Sequence, residues 1–150
     1  MYSTVLMIHS WIRWLALIAA VGAAAASFRQ GEAAVRRTDR WGLALMISLD
    51  LQLLVGLLLY LVLSPFTAMA TRDLAAAMRN PVLRFWAVEH AATMFAAVIL
   101  VHVGRVLALR AASAEQKRTR LMVCLGLALL AMLFGMPWPG LGNARPLFRL

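Results

Sequence analysis

The sequence predicts an all-α membrane protein: a transmembrane four-helix up-down bundle with a short interfacial helix between spans two and three. Three observations carry this. The chain of 150 residues is 63% hydrophobic and only 14% charged, with a mean hydropathy of +0.81, whereas soluble domains carry about 25% charged residues. Four apolar runs each reach the roughly 20 residues that a helix rising 1.5 Å per residue needs to cross a bilayer. None alternates with period two, so helices rather than strands are expected. The whole chain, 1–150, reads as one integral membrane domain.

The first run, Thr4–Phe28, ends in small residues, Ala23–Ser27, that resemble a signal-peptide cleavage site. No basic residue precedes the run, so it is expected to be retained as a span. The link Arg29–Arg40 is rich in arginine. Span two is expected over Trp41–Leu63, where Ser64-Pro65 stops it because proline has no donor to continue the ladder. Thr67–Arg79 reads as a short interfacial helix of mixed polarity. Asn80-Pro81 ends that helix and launches span three, Leu83–Leu107. A third link, Ala108–Arg120, precedes span four, Leu121–Trp138, which Pro137 and Pro139 terminate.

The net charge of +9 comes from fifteen basic residues against six acids. Most basic residues fall in the links, where the positive-inside rule and anionic lipid account for them, so nucleic acid is not expected as a partner. Links one and three, with Arg105, carry nine basic residues. The opposite side carries five: Arg72, Arg79, Arg84, Arg145 and Arg149. The expected location is a bacterial inner membrane, multi-pass, with both termini on the outer side. The lone Cys124 has no disulfide partner in the chain and lies inside an apolar run, as a packing residue would.

Ionisable residues inside a span are costly and mark functional or interhelical sites. His9 lies about five residues into span one and His90 about seven into span three. Those spans run in the same direction, so the two histidines share a depth in the outer half. In an up-down bundle they sit on diagonal helices, roughly 11–14 Å apart when neighbours are 8–10 Å apart. That gap is too wide for direct packing of the two side chains. It suits one flat haem b held edge-on between two axial imidazoles. Arg13, one turn deeper on the face of His9, is placed to hold a propionate, or else to pair with Glu89 or Asp50.

His102 is about 18 Å along the helix from His90 and some 120° round it. No fourth histidine completes a second pair, so it is a secondary candidate. Asp50, in mid-span, and Glu89, beside His90, are candidates for proton handling in quinone chemistry, because burial favours a protonated carboxyl. Asp50 has a plainer role in a salt bridge or interhelical hydrogen bond, and Glu89 in orienting His90 or pairing with Arg13 or Arg84. Gly22, Gly56, Gly104 and Gly126 read as positions of close helix approach.

The pattern His9-Ser10-x-x-Arg13-Trp14, Asp50-x-Gln52-x-x-x-Gly56-x-x-x-Tyr60 and Phe85-Trp86-x-x-Glu89-His90 resembles a group of small four-span bacterial membrane proteins of cytochrome b-like type. The resemblance implies that these polar positions form a common site with His9 and His90 as haem ligands. The leading expectation is a haem b membrane electron-transfer protein, linked to quinone or to a respiratory or photosynthetic complex. With almost no extramembrane domain, it is expected to act as a redox subunit rather than a stand-alone enzyme. The alternatives are a cofactor-free accessory subunit of a membrane complex and a small proton-coupled transporter.

Overall fold

Polar N-cap side chains, Ser64, Asp73, Asn80 and Ser113, mark where the later helices begin. In the computed structural model, described for residues 1–140 with Asn143, Pro146 and Phe148, α1 covers Tyr2–Ser27 and α2 covers Glu32–Leu58. The second helix then widens into a π-helical turn, Leu59–Leu63. Two short helices follow, α3 (Pro65–Arg72) and α4 (Leu74–Arg79). The third span opens with α5 (Pro81–Arg84), passes through a second π turn (Phe85–Glu89) and continues as α6 (His90–Leu109). The fourth is α7 (Ala114–Gly135), and there is no strand among the described residues. Four continuous helices, Tyr2–Ser27, Glu32–Leu63, Pro81–Leu109 and Ala114–Gly135, are long and apolar enough to cross a membrane.

The architecture is the expected all-α bundle, with several boundaries moved. Span two begins nine residues before Trp41, so Arg36, Arg37 and Arg40 lie on α2 rather than in a link. Span four likewise begins at Ala114 instead of Leu121 and ends at Gly135. Charged first turns are stable helix when they extend past the apolar layer, helped by pairs such as Arg36 with Glu32 at 3.1 Å. The interfacial segment is two helices rather than one. Asp73, in extended conformation, caps the second by accepting from the Ala76 N–H at 2.9 Å. Asn80 does the same for α5, accepting from Val82 and Leu83, while Ser64 caps α3 with Pro65 at its first position.

α1 pairs with α2 and α6 with α7 as antiparallel hairpins; α1 also packs on α7, α2 on α6, and α2 touches α7 across one diagonal. The faces turned inward are small or aliphatic: Ala16, Ala20 and Ala23 meet Leu45, Leu49, Ala97, Val101, Leu125 and Ala128. Leu15, Leu54, Leu61 and Phe134 point outward, each more than half exposed, as lipid-facing side chains do. Without a hydrophobic force between helices in lipid, close backbone approach supplies the contact. Gly104 shows it: a Cβ there would lie 2.6 Å from the Cβ of Cys124, so α6 and α7 meet backbone to side chain.

The end carrying links one and three is locked by charge. Asp39 on α2 binds Arg105 on α6 and Lys117 on α7, the latter at 3.2 Å. Arg118 donates to the Ser27 carbonyl at 3.1 Å and Arg120 to the Leu107 carbonyl at 2.7 Å. Both links therefore lie at one end of the bundle. Of the basic residues assigned to the opposite end, Arg145 and Arg149 lie outside the described residues.

Gly104→Ala is expected to destabilise the bundle by about 1–3 kcal/mol through overpacking against Cys124. Gly126→Ala, where nothing lies within 4 Å of the added carbon, is expected to be neutral or stabilising by roughly 0.5–1 kcal/mol. Thermal unfolding of the two variants in detergent micelles checks the contrast.

Candidate functional site

The half of the bundle away from links one and three brings the two histidines together. The rings of His9 and His90 have centroids 6.3 Å apart with their planes at 68°. A diagonal of roughly 11–14 Å between helices predicts a gap too wide for direct packing of these side chains. Each side chain reaches inward from its axis, and the rings meet edge on. The matched depth on diagonal helices is as expected.

Each imidazole has its own support. His90 Nδ1 lies 2.7 Å from the Gly135 carbonyl at the end of α7, a bond that fixes the ring and leaves Nε2 for another partner. Gly135 must be glycine for this: a Cβ would collide with Thr93 Oγ1 and Met94 Cε. Phe85 and Trp86 flank the same ring, with centroids at 5.9 and 5.5 Å. His9 rests on Gly56 of α2, where a Cβ would stand 3.2 Å from the ring Cε1. The His9 Nδ1 atom is buried with no hydrogen-bond partner.

Both rings line two cavities. The larger, about 340 Å³, runs between α2 and α6 and is walled by apolar side chains such as Leu53, Leu57, Met94 and Phe95, with Tyr60 and Gln52. The smaller, about 50 Å³, lies on the α1–α7 side and is lined by Ser10, Arg13, Met132 and Met136. Arg13 thus shares a cavity with both histidines, as its position four residues after His9 predicts. Its guanidinium carbon sits 5.4 Å from the Trp14 ring centre, and Trp14 stacks on Phe148 of the C-terminal tail at 5.0 Å.

The two π turns shape the larger cavity. In a π turn the carbonyls no longer meet the N–H four residues on, so they need other donors. Ser64 N–H reaches the Leu59 carbonyl at 2.7 Å, and the Thr67 hydroxyl donates to the Tyr60 carbonyl at 2.6 Å. The Tyr60 hydroxyl then crosses to the other π turn and donates to the Ala87 carbonyl at 2.7 Å. One side chain ties both irregular turns together beside His90.

The carboxylates lie elsewhere. Glu89 pairs with Arg84 at 2.6 Å, both partly exposed. Five residues is one π turn, which puts the two on one face. Asp50 stands 3.6 Å from His102 Nε2, and both side chains are about 45% exposed (45% and 46%). The expectation that Asp50 is buried is therefore corrected: it sits on the α2–α6 surface. The suggested partners of Arg13 are corrected too, since Glu89 and Asp50 are engaged by Arg84 and His102. His102 does not join the His9–His90 pair.

Gln52 enters the sequence reading only through the resemblance, with no role of its own. It is 7% exposed, its Oε1 has no partner, and it lines both cavities. The signal in the sequence was its place one turn before Gly56 in an otherwise apolar run. The π turns left no such signal, because they obey tertiary hydrogen bonding rather than composition. Among the described residues no three His, Cys, Asp or Glu side chains cluster as a metal-ion site. No family model, curated protein or solved structure has significant similarity to this chain.

Tyr60→Phe is expected to cost about 1–3 kcal/mol, because it leaves the Ala87 carbonyl unsatisfied. Amide hydrogen exchange should accelerate in both π turns, Leu59–Leu63 and Phe85–Glu89, and stay unchanged at the basic end of the bundle.

Proposed function

We propose that this protein binds one haem b between His9 and His90 and serves as a membrane electron-transfer protein, working as a redox subunit of a larger complex. The observation that carries the reading is the 6.3 Å separation of the two rings. Two imidazoles at that separation, with Nε2 of His90 left free by the Gly135 bond, could hold one haem iron, for which imidazole is a usual ligand. The residues present fit the group. His9 and His90 would hold the group, and the apolar larger cavity would suit its hydrocarbon edge. Ser10 and Arg13 in the smaller cavity suit its carboxylates.

When bound, haem b supplies a one-electron couple inside the apolar layer. The chain's own residues set its conditions. The Gly135 carbonyl, on Nδ1 of His90, holds that ring in the orientation that presents Nε2, the arrangement typical of metal-ligating histidine. Gly56 leaves room for the His9 ring. Arg13 provides positive charge one turn below His9 and orients an anionic group there. Leu53, Leu57, Met94 and Phe95 exclude water from the larger cavity.

In this reading links one and three face the cytoplasm, by the excess of basic residues there, and both termini and the histidine pair face the outer side of a bacterial inner membrane. Electrons then pass between a quinone pool or partner subunit and an acceptor at the outer face. Glu89 lies in an ion pair with Arg84 and Asp50 stands beside His102, neither on the His9–His90 pair, which leaves them a structural role. A second reading, a cofactor-free accessory subunit, draws support from the same His90–Gly135 bond and ring contact, since these also tie three helices together.

A reduced-minus-oxidised absorbance spectrum of the purified protein separates the two. The haem reading expects a b-type signal that His9→Ala and His90→Ala each abolish and His102→Ala preserves. Arg13→Gln should weaken haem retention by roughly tenfold or more, the loss of one charge-assisted hydrogen bond. Protein supplied with haem and showing no such signal would sink the cytochrome reading in favour of the accessory one.

A further inference from the structure

At the basic end of the bundle, the α1–α2 hairpin forms a second feature, independent of the histidine pair. Where α1 ends and α2 begins, a cleft of about 460 Å³ is lined by Arg29, Gln30, Arg37 and Trp41, with Ala25 and Ala26 on its floor. Gly22 lets the Trp41 ring lie flat against α1, since a Cβ there would come within 2.6 Å of it.

The two arginines in this cleft have no acid. Glu32, three residues after Arg29, pairs with Arg36. Asp39 is held by Arg105 and Lys117 on other helices. Among the described residues no ion pair joins Arg29 or Arg37 to a carboxylate, and both are exposed. Two unneutralised guanidinium groups on one concave surface attract an anion, and arginine suits phosphate oxygens because of its fork of donors.

The cleft is also amphipathic. Its alanine floor continues into the outward apolar face of α1, where Ile18 and Val21 are each 57% exposed. Trp41, 41% exposed, is the kind of aromatic that sits at the head-group level of a bilayer. An anion with an apolar tail is what these surfaces complement together. Basic pockets between spanning helices are a recurrent form of phospholipid head-group site.

We propose that the cleft formed by Arg29, Gln30, Arg37 and Trp41 is a binding site for the phosphodiester head group of an anionic phospholipid, with an acyl chain running along α1. The lipid ties the α1–α2 hairpin to the membrane surface at the end opposite the histidine pair.

The test is native mass spectrometry of the full-length protein in neutral detergent, with phosphatidylglycerol and phosphatidylcholine offered together. Preferential retention of phosphatidylglycerol is expected. The double variant Arg29→Gln/Arg37→Gln should lose on the order of tenfold of that preference, and Arg36→Gln, already paired with Glu32, should keep it. Thermal unfolding of the unmodified protein, which requires no variant to fold, should rise more with phosphatidylglycerol than with phosphatidylcholine. Equal retention or equal stabilisation by the two lipids would overturn the site, as would an equal loss in Arg36→Gln. Displacement of phosphatidylglycerol by inorganic phosphate at the same concentration would assign the cleft to a free anion instead.

Discussion

In a hydrocarbon layer every backbone N–H and carbonyl must find a partner inside the protein, and the arrangement at the histidine end of this bundle depends on that constraint. Two spans give up regular α-helical bonding there, at Leu59–Leu63 and Phe85–Glu89. The irregularity persists because specific donors meet the displaced carbonyls. Thr67 serves Tyr60, and Tyr60 serves Ala87. The Tyr60 hydroxyl is thus the link between the end of the second span and the start of the third. His90 follows directly on the second π turn, so its direction is set by a bond network that begins a span away.

Polar groups within the bundle divide by level, and each level does different work. At the basic end, Asp39 with Arg105 and Lys117 joins three helices. In the middle, Asp50 and His102 pair on the surface between α2 and α6. At the end opposite the basic one, His9 and His90 meet beside buried polar atoms that have no partner, His9 Nδ1 and Gln52 Oε1. The first two levels are internally satisfied, as structural polar groups in a membrane protein should be. The third is not, and it borders the two cavities. That contrast, more than the presence of histidine itself, separates the candidate site from the scaffold.

The same contrast disciplines the functional reading. Two histidines in edge contact, one on a backbone carbonyl, serve equally well as a helix tie. What favours a haem ligand pair is the spacing of the rings, the apolar cavity against both, and the cation in the smaller cavity. Glycine at 56 and 135 gives the site its room. Each removes a side chain that would displace an imidazole or the backbone that holds it.

The sequence by itself determined the four spans, the helix-breaking links and the matched depth of His9 and His90. Those follow from local quantities: hydropathy over 20 residues, proline and asparagine chemistry, and rise per residue along an extended apolar run. It also placed Arg13 on the face of His9, because four residues is one turn. It did not determine the partners of the charges. Asp50 reads as buried from its position in the run, yet the rotation of α2 turns it to the surface beside His102, and that rotation is set by packing between helices, such as Gly42 of α2 against Leu125. Nor did it reveal the π turns, which move His90 round its helix and place Glu89 on Arg84. Tertiary structure decided these because they are the outcome of bonds between spans, and no residue carries such bonds in its local pattern.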